Sequence, residues 1–172
     1  HSPEYREQYA SDLKKVLPRV PYAPDFRAFE KAGRTLAALH LDYETVEPWP
    51  VTEEAKPKGD LNDLAYYRVE KLRFASKGGR EKDRSVIVFN SRITIKGIPE
   101  QAYDYMVNGK SAIEWVMDRY EAATDKESGI KDDPNEWCRE SNDPAYILNL
   151  LKRVIRVSMD TVEIVGGLPS IQ

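Results

Sequence analysis

Hydrophobic positions along this chain change period twice, from helical to alternating and back to helical. Tyr5, Tyr9, Leu13 and Val16/Leu17 recur at helical spacing until Pro18, which predicts a charged amphipathic helix over residues 3 to about 17. The stretch LPRVPYAP then carries Pro18, Pro21 and Pro24. Each proline removes a backbone donor and biases its predecessor away from the helix, so an extended connector is expected. A second helix should begin at Phe26 and end near Leu41, with Phe26, Phe29, Ala32/Gly33, Leu36 and Leu39 as its buried stripe. Residues 42 to 63 lose periodicity. Pro48, Pro50, Pro57 and Gly59 mark them as a connector, with a short edge strand expected around Tyr43 to Val46.

Alternation starts near Tyr66. YYRVEKLRFA (Tyr66 to Ala75), SVIVF (Ser85 to Phe89) and RITIKGI (Arg92 to Ile98) read as strands, the last two rich in β-branched residues. Asn90-Ser91 reads as a two-residue turn, asparagine tolerating positive φ, and SKGGREKD (Ser76 to Asp83) as a flexible first loop. Helical spacing returns at Pro99. IPEQAYDYMV suits a short helix stopped by Asn108-Gly109. Ser111 with Glu114 three residues on is a capping box, opening a helix with Ile113, Val116/Met117 and Tyr120 inward and Trp115 as a core anchor. Residues 122 to 142 are acidic and irregular. Asp143-Pro144 starts a long last helix whose stripe runs from Ile147 through Leu150/Leu151, Val154, Val157/Ser158 and Thr161/Val162 to Val165, ahead of Gly166-Gly167. The fold class expected is α+β: a small antiparallel β-meander (about 66–97) flanked by N-terminal helices and a C-terminal helical part. Residues 1–172 form one domain or domain fragment, divided into helices and connector (3–65), basic meander (66–98) and helical subdomain (99–169).

Composition narrows the chemistry. With 41% hydrophobic and 32% charged residues the chain is an ordinary globular one, and no apolar run approaches a membrane span. Cys138 is the only cysteine, so no internal disulfide exists; it reads as a packed or half-exposed thiol rather than a nucleophile, and a reducing, cytoplasmic setting is expected. His1 and His40 are too few for a zinc set. The chain opens His1-Ser2-Pro3 rather than with methionine, as expected of a piece of something longer. No GxxxxGKS/T phosphate loop, GxGxxG turn or Ser-His-Asp pattern is present, and Gly78-Gly79 sit among charges. Asp125, Glu127, Asp132, Asp133 and Glu136 match no EF-hand spacing and read as a solvated acidic loop. Neither catalysis, a metal nor a cofactor is expected of this chain.

The net charge of -3 conceals one asymmetry. From Lys71 to Lys96 the chain carries Lys71, Arg73, Lys77, Arg80, Lys82, Arg84, Arg92 and Lys96 against only Glu81 and Asp83. Flexible basic loops follow a phosphate backbone, and arginine, lysine or asparagine can reach base edges. Candidate DNA contacts are therefore Lys77, Arg80, Lys82, Arg84, Asn90 and Arg92. The competing reading is a solvated hairpin whose lysines keep an exposed edge from pairing with other chains. Lys110 is a further candidate, as a phosphate clamp beside the first-turn amides of the helix that Ser111 opens. Against it stands a tight corner in which Ser111 merely caps.

VNGKSAIEWVMDRY and TDKESGIKDDPNEW (Thr124 to Trp137) resemble the C-terminal segment of helicase-containing, single-chain Type ISP restriction–modification enzymes. So do DPAYILNLLKRVIRVSMDTVEIVGGLP (Asp143 to Pro169), LPRVPYAPDFRAFEKAGRTLAALHLDYE (Leu17 to Glu44) and YRVEKLRFA, so the resemblance spans nearly the whole chain. It implies a parent with nuclease, ATP-driven motor, adenine methyltransferase and a C-terminal target-recognition part, of which only the last fits here. The expected partners are double-stranded DNA and the parent's other domains. The alternative is a structural coupling module that docks on the methyltransferase and touches little DNA. An autonomous hydrolase is disfavoured by the missing acid/base and metal sets.

Overall fold

The computed structural model describes residues 2–20, 22–55 and 63–171. Its centre is a four-stranded antiparallel sheet in the order β1-β4-β3-β2, built from β1 (Thr52–Ala55), β2 (Arg73–Gly78), β3 (Glu81–Val88) and β4 (Ile93–Lys96). Ile87 pairs with Ile95, and Ile87, Phe89, Ile93 and Ile95 fill the inner face with essentially no exposure. The opposite face carries Arg73 opposite Val88 and Thr94 opposite Glu54, because successive residues of a strand point to opposite sides. Against the inner face lies the last helix, α6 (Tyr146–Gly166), whose Ile147, Leu148, Leu151 and Ile155 share one core with the sheet. This is the α+β class expected, with the long last helix in place.

Other elements dock on α6. The helices α1 (Pro3–Gln8) and α2 (Phe26–Leu41) precede the sheet, and a four-residue helix, α3 (Leu64–Tyr67), leads into it. After β4 come a 3-10 turn (Glu100–Tyr103), a hairpin of β5 (Met106–Val107) and β6 (Lys110–Ser111), and α4 (Ala112–Arg119). A second small hairpin, β7 (Ala123–Thr124) with β8 (Lys131–Asp132), and α5 (Asn135–Glu140) complete the chain before α6.

Several expected elements take another form. The first helix stops at Gln8; Tyr9 caps it and a 3-10 turn (Asp12–Lys14) follows. The stripe of α2 is largely unburied: Leu36 alone is buried, while Phe26 is 61% exposed. The edge strand is Thr52–Ala55, not Tyr43–Val46; it pairs with β4, so the meander β2-β3-β4 lies within a four-stranded sheet. Tyr66 and Tyr67 are core aromatics on α3 instead of strand residues, and β2 begins only at Arg73. Ser76 to Asp83 is no open loop, since β2 and β3 continue pairing to Gly78 opposite Glu81 across a Gly79-Arg80 turn. Asn108-Gly109 turns a hairpin, both residues taking positive φ (49° and 87°), rather than ending a helix. Trp115 is 43% exposed and donates its indole N–H to the Val107 carbonyl instead of anchoring the core. The acidic stretch contains β7, β8 and α5. The last helix starts at Tyr146, with Asp143 Oδ1 accepting from the Ala145 amide ahead of it. Pro21, Pro57 and Gly59, expected in connectors, lie outside the described residues, as does His1.

Candidate functional site

The segment from Arg68 to Leu72 has no regular structure, and side chains hold it. Asn135, buried on α5, accepts from the Val69 amide (2.8 Å) and donates to the Val69 carbonyl (2.7 Å). Asn90 at the β3–β4 turn donates to the Tyr66 and Arg68 carbonyls (2.9 and 3.1 Å) and accepts from the Arg92 and Ile93 amides (2.8 Å each). An irregular backbone is thus held at Tyr66, Arg68 and Val69 by side chains instead of a ladder, which supplies partners to groups that burial takes from water.

That segment forms a basic ridge between two clefts. One, of about 330 Å³, has Arg68, Lys71, Arg73 and Arg92 on its walls with Asn90, Ser91 and a single carboxylate, Glu70. The other, of about 420 Å³, is lined by Lys71, Arg73, Lys82 and Lys110, by the carboxylates Glu114 and Asp118, and by Leu72, Phe74 and Met117. Lys71 and Arg73 belong to both. Folding therefore puts Lys82 of β3 and Lys110 of β6 on one cleft, and Arg92 and Arg73 on the other.

Other candidates are spent internally or stand apart. The Asn90 amide makes four hydrogen bonds within the fold, and its backbone is not at positive φ. On β3, Phe74 faces Ile87 but Ala75 faces Asp83, leaving Arg84, Ser85 and Val86 in a bulge opposite β2. There the Arg84 guanidinium lies over the Tyr103 ring (4.2 Å) and pairs with Glu114 (3.4 Å). Tyr103 donates its hydroxyl to the Arg84 carbonyl at 2.6 Å, and burial pushes its pKa up. Lys77 and Arg80 sit at the far end of the β2–β3 hairpin, lining neither cleft.

The phosphate clamp expected at Lys110 is already occupied by carboxylates. Ser111 and Glu114 form the capping box: Ser111 Oγ accepts from the Glu114 amide (3.2 Å), and the Ser111 amide donates to Glu114 Oε2 (3.2 Å). Burial opposes ionisation of Glu114, but bonds from the Ser111 hydroxyl and amide and the Arg84 charge outweigh it and hold its pKa below the usual value. Lys110 itself pairs with Asp118 and lies 5.5 Å from the Trp115 ring.

Arg73, Arg80, Lys82 and Arg92 have no carboxylate within salt-bridge distance among the described residues, whereas Lys71 pairs with Glu121 (2.7 Å) and Lys96 with Glu54 (2.7 Å). Arg68 and Arg73 were absent from the sequence-derived contacts. Arg73 was legible in the charge count; Arg68 fell outside the basic stretch, and only the tertiary fold carries it to the cleft. Cys138 is buried, and burial raises its thiol pKa, consistent with a packed role. Among the described residues no group of three or more His, Cys, Asp or Glu side chains could hold a metal, and no helix is long and apolar enough to cross a membrane.

Residues 1–150 match the family model described as the Type ISP C-terminal specificity domain. Three solved structures align over 100% of this chain. A nuclease-deletion mutant of the Type ISP restriction–modification enzyme LlaGI in complex with a DNA substrate mimic is 46% identical, with a TM-score of 0.87. The ATP-dependent Type ISP restriction–modification enzyme LlaBIII bound to DNA is 42% identical, also at 0.87. A DrdV–DNA complex is 31% identical at 0.78. The chain spans only 15%, 10% and 17% of those proteins respectively. No curated protein matches it.

Proposed function

Because the chain belongs to the Type ISP C-terminal specificity-domain family, we propose that it binds duplex DNA through the two-cleft basic surface and so selects the site on which a larger restriction–modification enzyme acts. The observation that carries this reading is the Lys71–Arg73 ridge. It gathers Arg73, Lys82 and Arg92, which form no salt bridge among the described residues, from three separate stretches of chain. A surface of this kind follows a phosphate backbone and releases counterions as it binds. Arg80 and Lys77 extend the positive potential along the hairpin toward flanking DNA. Asn90 supports the surface without touching the duplex, and Lys110 lends charge to the rim rather than clamping a phosphate. Catalysis, motor action and any cofactor belong in this reading to other parts of the longer protein. Base flipping would be the methyltransferase's work.

The test is a titration of this protein on duplex DNA over a range of salt. Each lost phosphate contact lowers the log–log slope by about 0.9. Arg73→Ala combined with Lys82→Ala should flatten the slope by about 2 and weaken binding to all sequences alike. An unchanged slope would place the contact surface elsewhere.

A second role is supported by a different surface. Leu17, Val20 and Tyr22 are 86%, 93% and 95% exposed, and Phe26 and Leu41 are also open to solvent. So many large apolar side chains near one another in sequence mark a contact surface. We infer that this N-terminal stretch docks on another domain of the same enzyme, which adds coupling to recognition in one module.

A further inference from the structure

We propose that Arg68 is a specificity-determining residue: its guanidinium, fixed by Asp133 at the wall of the smaller cleft, reads a guanine edge in the major groove. This rests on the reading of that cleft as the duplex-binding surface. A phosphate contact asks only for positive charge, which a flexible lysine supplies. Reading O6 and N7 of guanine asks for a planar fork held in one orientation.

Arg68 is held at both ends. Its Nη2 donates to Asp133 Oδ2 at 2.7 Å. The other oxygen of that carboxylate, Oδ1, accepts from the Asn135 backbone amide (3.1 Å) and from its side-chain Nδ2 (2.6 Å). Asn135 is buried and also grips both backbone groups of Val69, the next residue. The Arg68 carbonyl accepts from Asn90. Burial works against the Asp133 charge, yet the bonds from Asn135 and Arg68 prevail and keep the carboxyl ionised. The chain of contacts from Asn135 through Asp133 to Arg68 thus aims a guanidinium whose side chain is still 44% exposed. Of its five N–H donors one is committed to Asp133, which leaves a pair able to meet a base edge.

The neighbours differ. Arg73 and Arg92 line the same cleft, as does Glu70, but among the described residues neither arginine has a carboxylate within salt-bridge distance to orient it, as suits phosphate contacts. Arg84 is anchored as firmly as Arg68 but lines neither cleft. The plain alternative is an ion pair that merely ties residues 66–72 to α5. Such a pair needs charge and not a fork, so lysine separates the two cases.

The experiment selects bound sequences from a randomised duplex library with the unaltered chain, Arg68→Lys, Asp133→Asn and Arg73→Ala, and measures the salt slope of each. Arg68→Lys should lose preference for one G·C pair by roughly ten- to hundredfold, with the other positions and the salt slope retained. Asp133→Asn should erode preference at that same position. Arg73→Ala should weaken every sequence equally. Full preference in Arg68→Lys, or a loss spread evenly over all positions, overturns the proposal. Salt-dependent binding by the unaltered chain with no preferred base overturns it too, while leaving the basic surface intact; absence of salt-dependent binding removes both.

Discussion

Two side chains show how residue type and residue role part company. Asn90 looked from its neighbours like a group free to reach a base, and its amide is instead the knot between the β3–β4 turn and residues 66–68. Removing it strands two amides and two carbonyls at once. Asn90→Ala should therefore cost about 2–3 kcal/mol in denaturant unfolding. Asp133 read as part of a solvated acidic loop, and it is the fixed centre between Asn135 and Arg68. Burial opposes its charge, but hydrogen bonds from Asn135 and Arg68 leave its folded pKa below the ordinary 3.8. A carboxyl depressed on folding stabilises the native state above its unfolded pKa, and that contribution is lost as pH falls through the lower, folded value. In thermal melts across acid pH, Asp133→Asn should show a shallower loss of stability below pH 3.8 than the unaltered chain. Equal acid limbs would show that the carboxylate is not so held.

At the scale of elements, local signals served where the bonds that make the element are local. The Ser111–Glu114 box is closed by residues three apart, and it formed as read. The Asn108-Gly109 pair carries the strongest short hairpin signal a sequence has, but its flanks read as helical, which turns the same pair into a helix stop. With Gly109 at φ 87°, Gly109→Ala should cost about 1–2 kcal/mol, seen as a lower melting temperature, whereas the same change at Gly33, in α2 without positive φ, should not destabilise. The expected strand at Tyr66 to Ala75 failed for the opposite reason. Its buried residues Val69 and Leu72 lie three apart and so do not alternate, and the partners of its backbone are side chains 24 and 66 residues away. No window of sequence around Val69 contains that information.

The whole molecule carries a basic cleft surface and an open apolar stretch near the N-terminus, the two surfaces on which the proposed recognition and docking roles rest. Leu17→Ser with Val20→Ser should leave the melting transition and duplex binding of this chain unchanged, because neither side chain is buried or near the clefts. In the full-length enzyme the same pair should loosen the contact between this module and its neighbour, measurable as faster proteolytic release of the C-terminal part. Unaltered release would take the docking role from this stretch. From the sequence by itself came the α+β class, the long last helix and its buried stripe, the two inner strands, the capping box, the basic stretch and the family resemblance. All of these rest on periodicity, on contacts within a few residues, or on runs of matching residues. Tertiary structure alone decided that Arg68 and Arg92 share one cleft and Lys82 and Lys110 the other, that Arg84 and Asn90 are occupied inside the fold, and that Asp133 pairs with an arginine. Those outcomes depend on which distant side chains satisfy a backbone or neutralise a charge. A charge count along the chain locates the positive stretch, but only the packed fold determines which of its cations still face solvent without a partner.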